Sequence, residues 1–187
     1  MRQKELVPAD TRWVRKNIRE FSGSPVGRIG DEWMLLSAGD TRTDRGNWNT
    51  MTASWGGLGV LWGRDAAFVF VRPVRHTYGF FNANTLFSLS FFDPPFHRAL
   101  EICGDTSGRD TDKAAAAGLN PVVFSGAGME AGAVGFQEAR EIVICRKLYT
   151  HDFDPVAFLD PAIDSIYPQK DYHRMFIGEV VTLLTRE

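Results

Sequence analysis

The sequence predicts a mainly β fold with helices at its periphery. Phe, Trp and Tyr make up 12% of the residues, and many of them are concentrated between Trp48 and Phe96. In this middle third, β-favouring stretches alternate with Gly and Pro breaks. Two further β-branched segments follow, at Glu138–Phe153 and Asp171–Arg186. The segments with helical character are short, so we expect helices to pack beside a sheet that forms the core.

Composition limits the kind of protein that this chain can be. A length of 187 residues fits one compact domain with a substantial core, and we predict a single domain over residues 1–187. Apolar residues make up 44% and charged residues 24%, which is ordinary for a soluble globular protein. The net charge is −2 and both signs are interspersed, so we expect no nucleic-acid partner.

Cysteine usage and the first residues favour a cytoplasmic protein. Cys103 and Cys145 lie far apart and outside any Cys-x-x-Cys or zinc-ligand spacing, so a disulfide, a zinc site and a dithiol motif all lose support. The segment MRQKELVPADTRWVRK is charged and lacks the apolar core of a secretory signal. No window approaches the roughly 20 apolar residues that cross a bilayer. We therefore expect reduced thiols and no membrane partner.

The first predicted elements form a hairpin followed by a buried strand. Glu32–Asp40 and Asn47–Trp55 have strand character and are separated by the polar turn TRTDRG. Ala66–Pro73 is a continuous apolar run, which is typical of a strand buried on both faces. Pro73 ends the run because it removes a backbone donor.

Short helices and one more strand follow. RHTYGFFNANT predicts a short helix, and Leu86–Phe92 predicts a strand because its apolar residues alternate around two serines. A helix over about 95–102 has Asp93 as its candidate cap and is expected to end at Gly104, so it is short. The tract from Asp110 to Ala117 predicts another short helix.

The last third of the chain is predicted to contain one irregular segment and two long strands. Ser125–Phe136 is rich in Gly and Ala, which predicts an irregular, mobile connection. Glu138–Phe153 and Asp171–Arg186 predict the two strands. The residues between them predict a loop with one short helical turn.

Common catalytic templates are absent from the sequence. It contains no GxGxxG after a strand, no GxxxxGK[ST], no HExxH and no GxSxG. Polar residues instead follow apparent strands in three segments, at residues 49–55, 72–77 and 107–113. Their amide, hydroxyl, guanidinium and ammonium donors suit a phosphate group, and their aromatic and apolar members suit a planar heterocycle.

These segments belong to a wider set of motifs that resembles a known family. The motifs are NWNTMTASWGGLG (47–59), VRPVRHT (71–77), CGDTSGRDTDK (103–113), EAREIVICRKLY (138–149) and DYHRMFIGEV (171–180). In this order the sequence resembles the flavin reductase-like proteins with an FMN-binding split β-barrel, in particular the flavoredoxin branch. The resemblance covers most of the chain, whereas residues up to about Gly30 carry little of it and are expected to form an N-terminal extension. It implies a split barrel that holds FMN.

The resemblance also implies a set of cofactor-binding residues. Residues of the first motif would lie along the flavin ring, with Asn49 and Thr52 bonding its polar edge and Trp55 packing near it. Arg75 and Thr77 would hold the phosphate, and Ser107, Gly108 and Lys113 would close the site. The full set is Asn49, Thr50, Met51, Thr52, Ala53, Trp55, Arg75, Thr77, Ser107, Gly108, Lys113 and His173.

Structural alternatives stay open for several of these residues. Met51 and Trp55 could be core residues and Asn49 a turn former. Arg72 could be a solvated surface side chain or a further phosphate ligand. His173 precedes a strand that the family places close to the flavin, and its role could be contact, proton delivery or structure; an unperturbed pKa of about 6.5 would suit proton exchange.

The resemblance implies an NAD(P)H-dependent flavin reductase or a related FMN oxidoreductase, in which the flavin carries the redox chemistry. The alternative is a flavoredoxin-type carrier that exchanges electrons with a protein partner and has no NAD(P)H activity. The partner is therefore expected to be a nicotinamide or an electron-transfer protein. A homodimer is also implied, and pairing would cover strand edges and apolar surface.

Overall fold

The strands and helices of this chain form a mainly β architecture with peripheral helices, as the sequence predicts. The computed structural model describes residues 7–8, 12–39, 47–126 and 129–186. The strands are β1 (Val7–Pro8), β2 (Trp13–Lys16), β3 (Met34–Gly39), β4 (Trp48–Ala53), β5 (Gly56–Leu61), β6 (Arg64–Val71), β7 (Leu86–Phe91), β8 (Pro121–Gly126), β9 (Met129–Phe136), β10 (Glu141–Asp152) and β11 (Arg174–Arg186). The helices are α1 (Pro25–Gly30), α2 (Thr77–Ala83), α3 (His97–Asp105), α4 (Lys113–Ala116) and α5 (Pro161–Asp164). Within these ranges no helix is long and apolar enough to span a membrane.

One large antiparallel sheet dominates the fold. Its strand order is β4-β3-β7-β10-β11-β6-β5, and β2 pairs with β11 beside this path. The pairing of β10 with β11 contains two register shifts, at Ile144/Cys145 and at Lys147/Tyr149. Such bulges bend strands and increase their twist, so they help the sheet to curl. A smaller sheet with the order β1-β8-β9 packs against it.

Alternation along the strands divides the apolar core into two clusters. Leu35 belongs to the cluster shared with α3 and the β8–β9 hairpin, whereas its neighbour Leu36 belongs to the cluster shared with α2. Successive strand residues point to opposite faces, so one strand supplies both clusters. The central strands of the large sheet are therefore buried on both faces, which explains the fully buried run of β7.

The described residues 12–30 of the N-terminal segment pack against the sheet. Strand β2 pairs with the end of β11, for example Lys16 opposite Leu183. The Arg28 side chain donates a hydrogen bond from Nη2 to Glu141 Oε2 at 2.9 Å, and both side chains are only 4% exposed. The Arg28 guanidinium also lies 5.2 Å from the centre of the Phe91 ring. Arg28 therefore belongs to the buried interior, although the residues up to about Gly30 carry little of the family resemblance.

The prediction of an irregular connection over Ser125–Phe136 is wrong. Strands β8 and β9 pair there as an antiparallel hairpin, with residues 127 and 128 outside the described part. A Cβ atom on Gly135 would lie 2.7 Å from Ile142 Cδ1 and 2.8 Å from Phe124 Cε2. Glycine therefore permits close packing of this strand instead of breaking it.

Other sequence predictions differ in smaller ways. Strand β5 was not expected, and the polar turn TRTDRG lies outside the described residues. Helix α3 continues to Asp105 instead of ending before Gly104. Asp112 caps α4 by accepting a hydrogen bond from the Ala115 amide, whereas the Asp93 carboxylate makes no cap bond and accepts from Arg140 at 2.9 Å.

Candidate functional site

Two adjoining cavities form a groove where several elements end. The larger, of about 210 Å³, is called the aromatic cavity; it is lined by Met51, Thr52, Ala53, Ser54, Trp55, Phe70, Arg72, Arg75 and His173. The smaller, of about 150 Å³, is called the cationic cavity; it is lined by Met51, Val74, Arg75, His76, Thr77, Asp105, Thr106, Ser107, Gly108, Arg109 and Lys113. Met51 and Arg75 line both, so the two cavities are neighbouring parts of one groove.

The aromatic cavity combines flat apolar surfaces with polar groups at its margin. Trp55 is 47% exposed, and its ring centre lies 5.1 Å from that of His173. Phe70 and the buried Met51 add apolar surface. The Thr52 hydroxyl donates to the Leu100 carbonyl, which ties this strand to α3. A planar ligand with a polar edge would find both kinds of contact here.

The cationic cavity is rich in donors that suit an anion. The side chains of Arg75, Arg109 and Lys113 contribute positive charge to its lining, against the carboxylate of Asp105. Arg75 donates from Nη1 to the Gly104 carbonyl at 3.0 Å, which holds its guanidinium beside the last turn of α3. Guanidinium and ammonium groups form the strongest hydrogen bonds with phosphate oxygens.

Lys113 is the most buried cation of this cavity. It is 7% exposed, and its Nζ donates to the Cys103 carbonyl at 2.7 Å and to the Thr50 carbonyl at 3.0 Å. Burial, together with the nearby Arg75 charge, lowers the pKa of Lys113 to about 8. An anion in the cavity would favour the charged form and raise this pKa again.

Three of the predicted binding residues support the groove from behind. Asn49, Thr50 and Thr77 are 3%, 1% and 1% exposed. The Asn49 amide donates from Nδ2 to the Thr77 hydroxyl at 2.8 Å, and this hydroxyl donates to the Thr50 carbonyl at 3.3 Å. Asn49 and Thr50 line neither cavity, and the Asn49 amide makes an internal hydrogen bond, so its contact with a ring edge stays a prediction.

Gly108 is required by the close approach of its loop to Asn49. A Cβ atom at this position would lie 2.2 Å from Asn49 Oδ1 and 2.8 Å from its Cγ. Any larger residue would displace the Asn49 amide or the loop. The predicted Gly108 therefore fixes how near the loop from Ser107 to Arg109 comes to β4.

His173 lies in the wall of the aromatic cavity and is 8% exposed. Its Nδ1 lies 2.8 Å from the hydroxyl oxygen of Tyr167. Burial lowers the pKa of His173 to about 4, and the Arg72 charge acts in the same direction. With its pKa lowered in this way, the imidazole of His173 is neutral near pH 7.

Comparison with known proteins establishes the fold. The sequence matches no protein-family model and no curated protein. Among solved structures, an FMN-binding domain of a flavin reductases-like enzyme from Shewanella baltica has a TM-score of 0.62 and 14% identity, over 95% of this chain and 79% of that chain. Flavoredoxin from Methanosarcina acetivorans has a TM-score of 0.61 and 21% identity, over 83% and 69%. An NADH:FAD oxidoreductase from Streptomyces globisporus, in complex with NAD and FAD fragments, has a TM-score of 0.58 and 18% identity, over 83% and 74%. The fold is the split barrel.

In this split barrel, most of the residues predicted from sequence line the groove. Met51, Thr52, Ala53, Trp55 and His173 line the aromatic cavity, and Thr77, Ser107, Gly108 and Lys113 line the cationic cavity. Arg75 lines both. Two segments that are distant in sequence, the end of β4 and the start of β11, therefore meet across the split barrel.

Other residues of the groove were missed or left undecided by the sequence. Arg72 lines the aromatic cavity and donates from Nε to Asp171 at 2.7 Å, so it is not a free surface arginine, and it does not line the cationic cavity. Phe70 and Ser54 also line the aromatic cavity, although the sequence predicts no role for them. The sequence gives no indication that Tyr167 contacts His173, because its segment predicts only a loop with one short helical turn.

Proposed function

We propose that this protein holds FMN in the groove and passes reducing equivalents from NAD(P)H through the flavin to an acceptor. The observation that carries this proposal is the junction of the aromatic cavity with the cationic cavity, through Met51 and Arg75. One end suits a planar ring system and the other suits a phosphate. The compared structures that share this fold include FMN-binding proteins and an NADH:FAD oxidoreductase.

The residues present fit FMN. Arg75, Arg109 and Lys113 would neutralise the phosphate, and Ser107 adds a hydroxyl at the same cavity. The loop at Gly108 forms part of the wall at the phosphate end of the groove. It can come this close to Asn49 because residue 108 has no side chain.

The ring end of the groove would hold the flavin by apolar contact. Trp55 and Phe70 provide aromatic surface, and Met51 contributes a polarizable thioether, which makes favourable contacts with aromatic rings. When bound, FMN would supply reversible acceptance of a hydride. The chain itself binds, orients and shields it, and no side chain is required to act as a nucleophile.

A carrier without NAD(P)H activity is the second candidate, and one surface feature favours it. Val156, Leu159, Ile163 and Ile166 are 86%, 99%, 37% and 47% exposed. They lie on the segment between β10 and β11 that leads to His173. Several exposed apolar side chains in one short segment are a feature of surfaces that dock another protein.

The first experiment tests cofactor retention. The purified chain is loaded with FMN, desalted, and measured by visible absorbance. Arg75→Ala is expected to lose most of the retained flavin, because it removes a cation from the phosphate end. Arg98→Ala is the matched control, because the Arg98 side chain is 77% exposed on α3 and pairs with Glu101. Equal retention by both variants and the parent chain would count against the phosphate site.

The second experiment separates the reductase from the carrier. Anaerobic addition of NADH or NADPH to the FMN-loaded chain is expected to bleach the flavin at about 1 per second or faster, a rate typical of enzyme turnover. A flavin that stays oxidised with both nucleotides would favour the carrier. A chain that retains no flavin after desalting would refute tight binding. The homodimer stays a prediction, and light scattering that reports a monomer mass would contradict it.

A further inference from the structure

Tyr167 lies behind the aromatic cavity and holds one nitrogen of His173. Its side chain is 2% exposed and packs among aromatic rings. The ring of Phe158 is nearly parallel to it, with an interplanar angle of 5° and a centroid distance of 6.2 Å. The ring of Tyr172 lies 5.0 Å away. These contacts fix the direction of the Tyr167 hydroxyl toward His173.

The direction of the hydrogen bond between Tyr167 and His173 follows from the donors and acceptors that each buried group must satisfy. The Tyr167 hydroxyl is buried and has, within the described ranges, His173 Nδ1 as its hydrogen-bond partner. If Nδ1 carried the proton and donated, the phenolic hydrogen would be buried without an acceptor, which is costly. If the hydroxyl donates instead, both Tyr167 and Nδ1 are satisfied. A neutral imidazole with Nδ1 as acceptor carries its proton on Nε2.

We infer that Tyr167 is a positioning residue that donates to His173 Nδ1 and thereby fixes Nε2 as an N–H donor toward the aromatic cavity. This inference rests on the proposed function for its role in the reaction, but the tautomer itself does not depend on a bound flavin. The donor would serve a hydrogen-bond acceptor of the ligand, such as a carbonyl or carboxylate oxygen.

The lining of the aromatic cavity agrees with a ligand that offers acceptors. The side chains of Arg72 and Arg75 are further donors there, and none of the residues that line this cavity carries a carboxylate. Arg72 uses Nε and Nη2 to bind Asp171, which anchors its guanidinium beside Tyr167 at 5.6 Å from the ring centre. A carbonyl or carboxylate group in the cavity would therefore meet donors from two sides.

The charge state of His173 is consistent with this role. The charged groups that act on it are Arg72, Asp171 and Arg75, and burial acts more strongly than any of them, so its pKa falls to about 4. The imidazole is thus neutral at the pH at which it would bind a ligand. Its neutral form has one donor nitrogen, and the Tyr167 hydroxyl determines which one.

The direct test is nitrogen NMR of the full chain labelled with ¹⁵N-histidine, without flavin, near neutral pH. The nitrogen shifts of His173 are expected to report the neutral tautomer with the proton on Nε2. Tyr167→Phe keeps the ring but removes the hydroxyl, and it is expected to produce a mixture of the two tautomers. Tyr172→Phe is the matched control, because the Tyr172 hydroxyl donates to Asp164 rather than to His173. A proton on Nδ1, a charged imidazole, or an unchanged signal in Tyr167→Phe would overturn the inference.

A kinetic test on the FMN-loaded chain asks whether the donor is used. Tyr167→Phe is expected to reduce the rate of flavin reduction at limiting NADH by roughly threefold to tenfold, the effect of one hydrogen bond, while Tyr172→Phe leaves it unchanged. In a His173→Gln background, Tyr167→Phe should cause no further loss. An equal loss in both backgrounds would contradict positioning through His173. If no flavin binds at all, the NMR result still decides the tautomer, so failure of the proposed function is distinguished from failure of this inference.

Discussion

Raising the pH is expected to weaken FMN binding through Lys113. This lysine lies in the cationic cavity with its pKa lowered to about 8, because it is buried and because Arg75 is close. A bound phosphate favours the charged ammonium, so the pKa of Lys113 is higher in the complex than in the free chain. The free chain therefore loses this proton first as the pH rises. Above about pH 8, Lys113 must take up a proton from solution when FMN binds, so the affinity for FMN falls with increasing pH.

The size of the effect follows from the two pKa values. If the phosphate returns the pKa of Lys113 from about 8 to its ordinary value of 10.5, affinity falls about tenfold between about pH 7 and about pH 9. The neighbouring His76 and Cys103 titrate outside that interval. Burial lowers the pKa of His76 from 6.5 and raises that of Cys103 to about 11. The second phosphate pKa is about 6, so the phosphate is already doubly charged.

The assay is a titration of the apo chain with FMN, followed by flavin fluorescence, at several pH values across this interval. Riboflavin is the matched ligand, because it has the same ring but no phosphate, and its affinity is expected to stay constant. Lys113→Met should bind FMN more weakly at pH 7 and lose the pH dependence. An affinity for FMN that does not change, or that falls equally for riboflavin or for Lys113→Met, would refute the reasoning.

Two further substitutions test the support of the groove and of the sheet. Gly108→Ala is expected to weaken FMN binding about tenfold, or about 1.4 kcal/mol, because its Cβ would displace the Asn49 amide; calorimetry would measure this. Gly30→Ala is its control, since no atom lies within 4 Å of a Cβ there, and equal effects would contradict the steric argument. Arg28→Ala is expected to destabilise the chain by about 3–5 kcal/mol, because it leaves the buried Glu141 carboxylate without its cationic partner, while the hydrogen bonds from Ser22 remain. Urea unfolding would measure this, and a loss below about 1 kcal/mol would show that the pair contributes little.

The elements that the sequence predicts well are those whose apolar pattern is strong. The run Ala66–Pro73 corresponds to β6, and the alternating Leu86–Phe92 corresponds to β7. The hairpin of β8 and β9 was missed because Gly and Ala have low strand propensity. Its stability comes from backbone pairing and from packing around Gly135, which only the folded chain shows. Strand β5 was missed for a related reason, since its three glycines obscure the strand pattern.

The candidate site was predictable to the level of segments but not of atoms. The sequence motifs predict that Arg75, Gly108, Lys113 and His173 belong to one site. In the structure these residues line the same groove. The sequence could not show that the Asn49 amide bonds an internal hydroxyl, because that depends on which loop packs above it. Nor could it predict the lowered pKa of His173, which results from burial by residues that are distant in sequence.

The position of β11 in the sheet has a consequence for how the chain folds. This strand, which follows directly after His173, pairs with β10, with β6 and with β2, and its partners on β6 and β2 come from much earlier in the sequence. Contacts between such distant segments slow folding, because a long loop must close before they are gained. The aromatic cavity, which needs the ends of both β4 and β6 beside His173, therefore forms only after β11 has docked. A refolding chain should therefore bind flavin only once β11 has paired with β6.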